Sequence, residues 1–427
     1  MTKRTEMTLQ ERDKKHLWHP LKQHKTHPES LAIVKAKGCI LTDENGNEYI
    51  DTISSWYTCM FGHCNDFITS KVYEQMQTLD QVMFSDFTHK PAIELSENLI
   101  KILPNNQNRI FFNDNGSTAV EAGIKMALQY YFNLGEKRST FIAFENGFHG
   151  DTFGAMSVSG LSVYNGPFED FLMQVERISV PNGENHQEIL EQLKKIVSEN
   201  NVAGFIYEPL VQGAAGMKIH DTEGLNEILK FCKNHNILTI ADEVMTGFGK
   251  TGRNFASDFI ETKPDIICLS KALTGGLVPL AITSCTEKIY EAFLSNEMAK
   301  GFFHCHTYSG NPIACTAANA TIQLLQTDEI QQNIKLISAS HQQFKDKISK
   351  HPKVKTARFQ GVIFALDLDT KMQRYGSLRD KLLNFFMKRG VFLRPLGNTI
   401  YIQPPFVITQ EQLQKVYSTI EESLEIV

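Results

Sequence analysis

The chain predicts an α/β fold: a mostly parallel sheet with flanking helices, joined by a small α+β domain drawn from both termini. Two observations carry this expectation. From about residue 90 to about residue 327, short apolar runs alternate with helical stretches, the pattern of strands returned by crossover helices to one parallel sheet. Four of the runs end on polar residues, and the carboxyl ends of such strands form the crevice where an open α/β sheet binds its ligands.

Taken in order, the opening residues Met1 to His19 are rich in charge and lack the apolar core of a signal peptide. Ile40 to Asp51 then places two strand-like runs around an Asn45-Gly46 turn, a β-hairpin outside the main sheet. Ala119 to Phe132 reads as a helix, Thr140 to Phe144 and Ala203 to Tyr207 as strands, and Leu225 to Asn234 as a second helix. Strands over Ile237 to Ala241 and Asp265 to Ser270 follow. A long polar helix, Asp328 to Ser349, opens the C-terminal part, which continues with Phe359 to Asp367, a further helix and the strand Asn398 to Gln403. These shifts divide the chain into an N-terminal segment 1–60 that joins the small domain, a large domain 61–327 and a C-terminal small domain 328–427.

Composition narrows the function classes. With 427 residues, 42% apolar, the chain can bury a large core. A net charge of -5 without a basic block argues against nucleic acid as a partner. No apolar stretch is long enough to span a bilayer. The 8 cysteines are scattered, mostly in apolar surroundings, which suits packed reduced thiols and a cytoplasmic location. Neither His304-Cys305-His306 nor Cys59 with His63 and Cys64 repeats the paired spacing of a zinc site, so no metal is expected.

The strand ends carry the chemistry. Lys271 closes one apolar run and is followed by the flexible Ala272 to Gly276, while Asp242 closes its neighbour. A lysine and an aspartate delivered in this way are what pyridoxal 5'-phosphate requires: an amine for Schiff-base attachment and a carboxylate to keep the pyridine nitrogen protonated. Val244, two residues beyond Asp242, would point to the same face of an extended chain and pack against the ring. Gly116 and Ser117 stand at the start of the helix near Ala119, where free backbone N-H groups and a hydroxyl make a phosphate cradle. Phe148 could stack on the pyridine ring, and Asp151 could order the groups around it. Glu208 ends a fourth strand. Each of these residues has an ordinary structural alternative: a solvated strand end, an N-cap, a core aromatic, an ion-paired carboxylate. Their convergence in one crevice favours the site. The run Gly249-Lys250-Thr251 is not a nucleotide-binding P-loop, because Val244 stands where that motif needs glycine.

In order along the chain, Asn115-Gly116-Ser117, Phe148-His149-Gly150, Glu208-Pro209 with Gln212-Gly213, Asp242-Glu243-Val244 with Gly247-Phe248-Gly249, and Leu269-Ser270-Lys271-Ala272 resemble the class III aminotransferases of PLP fold type I. The resemblance runs over nearly the whole chain. It implies a PLP-dependent transferase with Lys271 as the catalytic lysine, and a homodimer with its active site at the interface. It also implies that Thr307 reaches the cofactor phosphate of the partner subunit.

Three further segments, Leu17 to Pro20, Ser54 to Tyr57, and Leu393 to Asn398 leading into Ile400 to Pro405, are similar to the branch of that class acting on 8-amino-7-oxononanoate in biotin biosynthesis. Trp56 and Tyr57 suit a channel for an alkyl chain, and Arg394 suits a terminal carboxylate. That branch usually has tyrosine at the positions of Leu21 and Phe148, and often tryptophan at that of Tyr57. The departures lie at the substrate mouth, leaving S-adenosylmethionine and lysine as amino donors. Other readings of the same motifs are an ω-amino acid:2-oxo acid aminotransferase, an aminomutase, or a PLP-binding scaffold without turnover.

Overall fold

The structure, a computed structural model, describes residues 7–26, 29–160, 165–370 and 376–427, so Met1 to Glu6 of the charged opening stretch lie outside the described residues. Sixteen strands are found: β1 Ile33–Lys37, β2 Ile40–Asp43, β3 Glu48–Asp51, β4 Arg109–Asn113, β5 Thr140–Phe144, β6 Val175–Ile178, β7 Val202–Tyr207, β8 Val211–Gln212, β9 Lys218–Ile219, β10 Leu238–Asp242, β11 Ile266–Leu269, β12 Ala281–Cys285, β13 Val354–Gln360, β14 Ile363–Leu368, β15 Val391–Phe392 and β16 Thr399–Ile402 among the described residues. Seven of them form the central sheet in the order β4-β12-β11-β10-β7-β5-β6.

The expected α/β class and mostly parallel sheet are borne out. The pairs β11–β10, β10–β7, β7–β5 and β5–β6 are parallel. One strand departs from the pattern: β12 runs antiparallel to both of its neighbours, β11 and β4. No crossover helix separates β11 from β12; Lys271 and the glycines after it fill that connection, which lets the chain turn back on itself.

Strands β5, β7, β10 and β11 are buried along their length, as the near-continuous apolar runs require. The helix Gly116–Asn133 covers one face and starts where β4 ends. Gly123 lets it lie close, since a Cβ there would stand 3.4 Å from Cys268 Sγ and 3.5 Å from Ile240 Cγ2. This packing fixes the helix start relative to the ends of β10 and β11.

The expected hairpin is present as β2 and β3, and β3 pairs in parallel with β15 from the far end of the chain. In the C-terminal part, the run Phe359 to Asp367 is not one strand. Gly361, at φ +59°, turns β13 into its antiparallel partner β14, to which β16 adds. Six of the eight cysteines are buried, and all eight are free thiols. Among the described residues, no helix is long and apolar enough to cross a membrane.

Candidate active site

The carboxyl ends of β5, β7, β10 and β11 deliver Phe148 and His149, Glu208, Asp242 and Lys271 to one crevice. At its centre Asp242, 4% exposed, accepts a 2.7 Å bond from the ring Nδ1 of buried His149. The opposite ring nitrogen, Nε2, is buried without a partner. Nδ1 donating to the carboxylate keeps Asp242 oriented. This role of His149 was not among the expected ones; the signal was a histidine directly after an aromatic at a strand end, but its partner lies 93 residues away.

Asp242 also accepts from the backbone N-H of Val244 at 3.0 Å. Here the structure corrects an expectation. Strand β10 stops at Asp242, and Val244 lies in the turn beyond instead of continuing the extended chain. Its side chain nevertheless faces the site: a Cβ on Gly116 would fall 2.9 Å from Val244 Cγ1. Gly116 is therefore required by packing as well as by the helix start.

That helix start is built to receive an anion. Asn115 caps it, accepting from Thr118 N at 3.1 Å, and the first intrahelical bond runs from Ala119 N to Asn115 O. The N-H groups of Gly116 and Ser117 precede that bond and have no carbonyl within the helix to serve. Ser117 Oγ accepts from the backbone N-H of Asp151 at 3.2 Å. Gly150, at φ +138°, allows this approach, since a Cβ there would meet Ser117 Oγ at 2.1 Å. Asp151 thus joins the cradle through its backbone, with its side chain exposed.

Lys271 adopts φ +49°, a left-handed conformation that a lysine holds only where its surroundings impose it. Burial pushes its amine below the usual lysine range, although Asp242 and Glu208 pull in the opposite direction. Its Nζ lies 5.3 Å from the centroid of the Tyr57 ring.

Glu208, 4% exposed, uses one carboxylate oxygen for Phe148 N at 3.0 Å and the other for Gly213 N at 2.9 Å, joining two loops at the crevice wall. Burial raises its pKa from 4.5 to about 7; His149 opposes the rise and Asp242 adds to it. A carboxyl whose folded pKa lies above its unfolded one stabilises the fold fully below about pH 4.5, and that stability is lost as pH rises through about 7. For the cofactor-free chain, thermal melts between pH 4.5 and 7 will show a decline that Glu208→Gln flattens, by ~3 kcal/mol over the window. Parallel pH profiles for the two chains would contradict this.

The wall of the crevice beside Lys271 is formed by an unexpected element. Ser54, Ser55, Trp56 and Tyr57 have φ values of 50°, 44°, 67° and 72°, a left-handed helical turn closed by Tyr57 N to Ile53 O at 2.8 Å and Thr58 N to Ser54 O at 2.9 Å. Each non-glycine residue in that conformation costs about 1–2 kcal/mol. The compensation is local. Asp51, fully buried, accepts from Ile53 N, Ser55 N and His63 Nε2 at 3.1, 2.7 and 2.8 Å, and Ser54 Oγ donates to Gln403 O at 2.7 Å. The turn sends Trp56 outward, 46% exposed, under the Arg394 guanidinium at 5.5 Å. Tyr57 goes inward, its hydroxyl bonded to that of Tyr401 at 3.0 Å. Tyr57 therefore sits deeper than a channel-lining residue was expected to, beside Lys271. Thr307 is exposed, its carbonyl accepting from Gln81 Nε2.

The residues present fit pyridoxal phosphate. An amine of lowered pKa, a fixed carboxylate and a helix start with free N-H groups share one crevice, and the two glycines beside the cradle cannot take a Cβ without collision.

Fold and site together define a PLP-dependent aminotransferase: the chain belongs to the class-III aminotransferases, whose family pattern matches residues 21–424. It is similar to the adenosylmethionine-8-amino-7-oxononanoate aminotransferase of Synechococcus elongatus, 42% identical over 96% of this chain and 98% of that one. The enzyme of the same name from Staphylococcus aureus is 35% identical over 95% of each chain. Among solved structures, the one so named from Methanocaldococcus jannaschii superposes with a TM-score of 0.93 at 32% identity, covering 98% of this chain and 99% of that one. An ω-transaminase from Pseudomonas jessenii in complex with PMP gives 0.91 at 26% identity over 98% of each chain.

Proposed function

We propose that this enzyme transfers an amino group to the keto carbon of 8-amino-7-oxononanoate, giving 7,8-diaminononanoate in biotin biosynthesis, with S-adenosylmethionine as donor and lysine as the alternative. The observation that carries the reading is the grouping of Trp56 and Arg394 at the mouth of a cofactor crevice with Tyr57 deeper in it beside Lys271, an aromatic wall and a guanidinium suited to a long-chain keto acid. The names of the full-length relatives support it.

Bound pyridoxal phosphate supplies an aldehyde that accepts amines and a ring that draws electrons from the carbon bearing the amine. Gly116 and Ser117 would hold its phosphate, Val244 and Phe148 would flank its ring, and Asp242, oriented by His149, would hold the ring nitrogen protonated. Lys271 serves as general base: its amine, whose proton affinity burial lowers, takes the proton from the donor α-carbon and returns it on the substrate side. Glu208 holds the loops of Phe148 and Gly213 in place, and Asp151 supports Ser117.

Arg394 would leave Trp56 to pair with the substrate carboxylate. Arg394→Ala is expected to raise KM for the keto acid by about 30-fold or more, the loss of one charged partner of ~2–5 kcal/mol, with a smaller change in KM for the donor. An unaltered KM for the keto acid would remove Arg394 from the site. The function is tested by incubating the chain with 8-amino-7-oxononanoate and each donor in turn and measuring 7,8-diaminononanoate. Complementation of a biotin auxotroph lacking the synthase is the matching test in cells. No product and no rescue, with activity on ω-amino acids, would turn the assignment toward the ω-transaminase branch.

The working unit in this reading is a homodimer in the cytoplasm, with exposed Thr307 meeting the phosphate of the partner subunit. The division into 1–60, 61–327 and 328–427 belongs to the same reading and is supported by the pairing of β3 with β15.

A further inference from the structure

Lys250 is a second buried lysine at this site, and neither the expected motifs nor the reaction uses it. Its side chain is fully buried, and among the described residues it forms no ion pair; its Nζ donates to the carbonyl of Tyr57 at 3.3 Å. Burial and the neighbouring Lys271 both push its amine well below the usual lysine range, against Glu243. Glu243 itself is occupied with Thr246 Oγ1, Ala256 N and Ser257 N. The geometry gives the amine a hydrogen-bond acceptor, the Tyr57 carbonyl, and no ion-pair partner among the described residues.

The acceptor gives this bond its meaning. Tyr57 is the last residue of the left-handed turn, whose Ile53 and Ser54 carbonyls are taken by bonds inside the turn. Asp51 clamps the start of the turn, and Lys250 holds its end. The backbone of Lys250 is in turn fixed from the C-terminal sheet. Val362 N donates to Lys250 O at 2.9 Å, and Gly361 lies so close that a Cβ there would stand 2.5 Å from that oxygen.

We propose that Lys250 is a positioning residue for substrate recognition: its amine fixes the Tyr57 carbonyl and thereby the left-handed turn that presents Trp56 and Tyr57 to substrate. The proposal rests on the reading that these two aromatics line the substrate mouth.

The test uses the full-length, cofactor-loaded enzyme. Lys250→Met removes the donor and keeps most of the aliphatic volume. Amide hydrogen exchange over residues 53–58 is expected to quicken about tenfold, the effect of one lost hydrogen bond. KM for the keto acid should rise by about the same factor while kcat stays within about threefold. Because the chain has only Trp18 and Trp56, a Trp18→Phe background isolates the emission of Trp56, which is expected to shift with the same substitution. Where the methionine variant does not fold, Lys250→Leu, which also lacks a donor, carries the same measurements; exchange faster than the parent's with a raised KM supports the proposal. Parent values of exchange and KM overturn it. A fall in kcat with exchange and KM unchanged also overturns it, since Lys250 would then act on Lys271. Trp56→Ala separates the two layers: if it leaves KM for the keto acid unchanged, the substrate-mouth reading fails, while exchange over the turn still judges Lys250.

Discussion

Lys271→Ala will abolish turnover, with a loss of about 10⁴-fold or more, because in the proposed reading one side chain both attaches the cofactor and moves the proton. The sharper readout is covalent. Borohydride treatment of the parent followed by peptide mass mapping should place the cofactor mass on the peptide containing Lys271, and the variant should carry none. Fully buried Lys250 lies near Lys271 and is the competing lysine, so the mapping discriminates. Cofactor mass on the Lys250 peptide, or an active Lys271→Ala enzyme, would overturn the assignment.

Asp242→Asn will lower kcat by about 10²–10³-fold, the range for removing one fixed electrostatic partner from a reacting group. The substitution keeps the size of the side chain but replaces the carboxylate facing His149 Nδ1 with an amide. The cradle at Gly116 and Ser117 does not depend on that charge, so the variant should retain near-stoichiometric cofactor. Activity within about tenfold of the parent would show that the ring nitrogen does not need the carboxylate.

What was legible in the sequence follows from where the chemistry sits. Lys271, Asp242 and Glu208 stand at the ends of continuous apolar runs, and a buried parallel strand leaves that mark. Gly116 and Ser117 were legible because a helix start is a local feature. Three other properties depend on contacts made far along the chain. Asp242 meets His149 across 93 residues, Lys250 meets Tyr57 across 193, and Ser54 meets Gln403 across 349. The left-handed turn was hidden for a different reason: Ser54-Ser55-Trp56-Tyr57 contains no glycine to announce positive φ, and tertiary clamps impose it. Val244 escaped its expected strand because the Asp242 carboxylate draws its N-H into a turn. The reversal of β12 was equally silent, since an apolar run does not record its direction.

The pairing of β3 with β15, and of the Ser54 turn with Gln403, has a consequence for synthesis. All seven strands of the central sheet, and with them Lys271, Asp242 and the helix start at Gly116, are present once residue 285 has been made. The wall formed by Trp56 and Tyr57 belongs to the first sixth of the chain but leans on residues 390–403. On the ribosome, β3 therefore lacks its β15 neighbour until nearly the whole polypeptide has emerged. By residue 285 every strand of the central sheet has been made, whereas the contacts that clamp the Ser54 turn arrive only with residues 390–403.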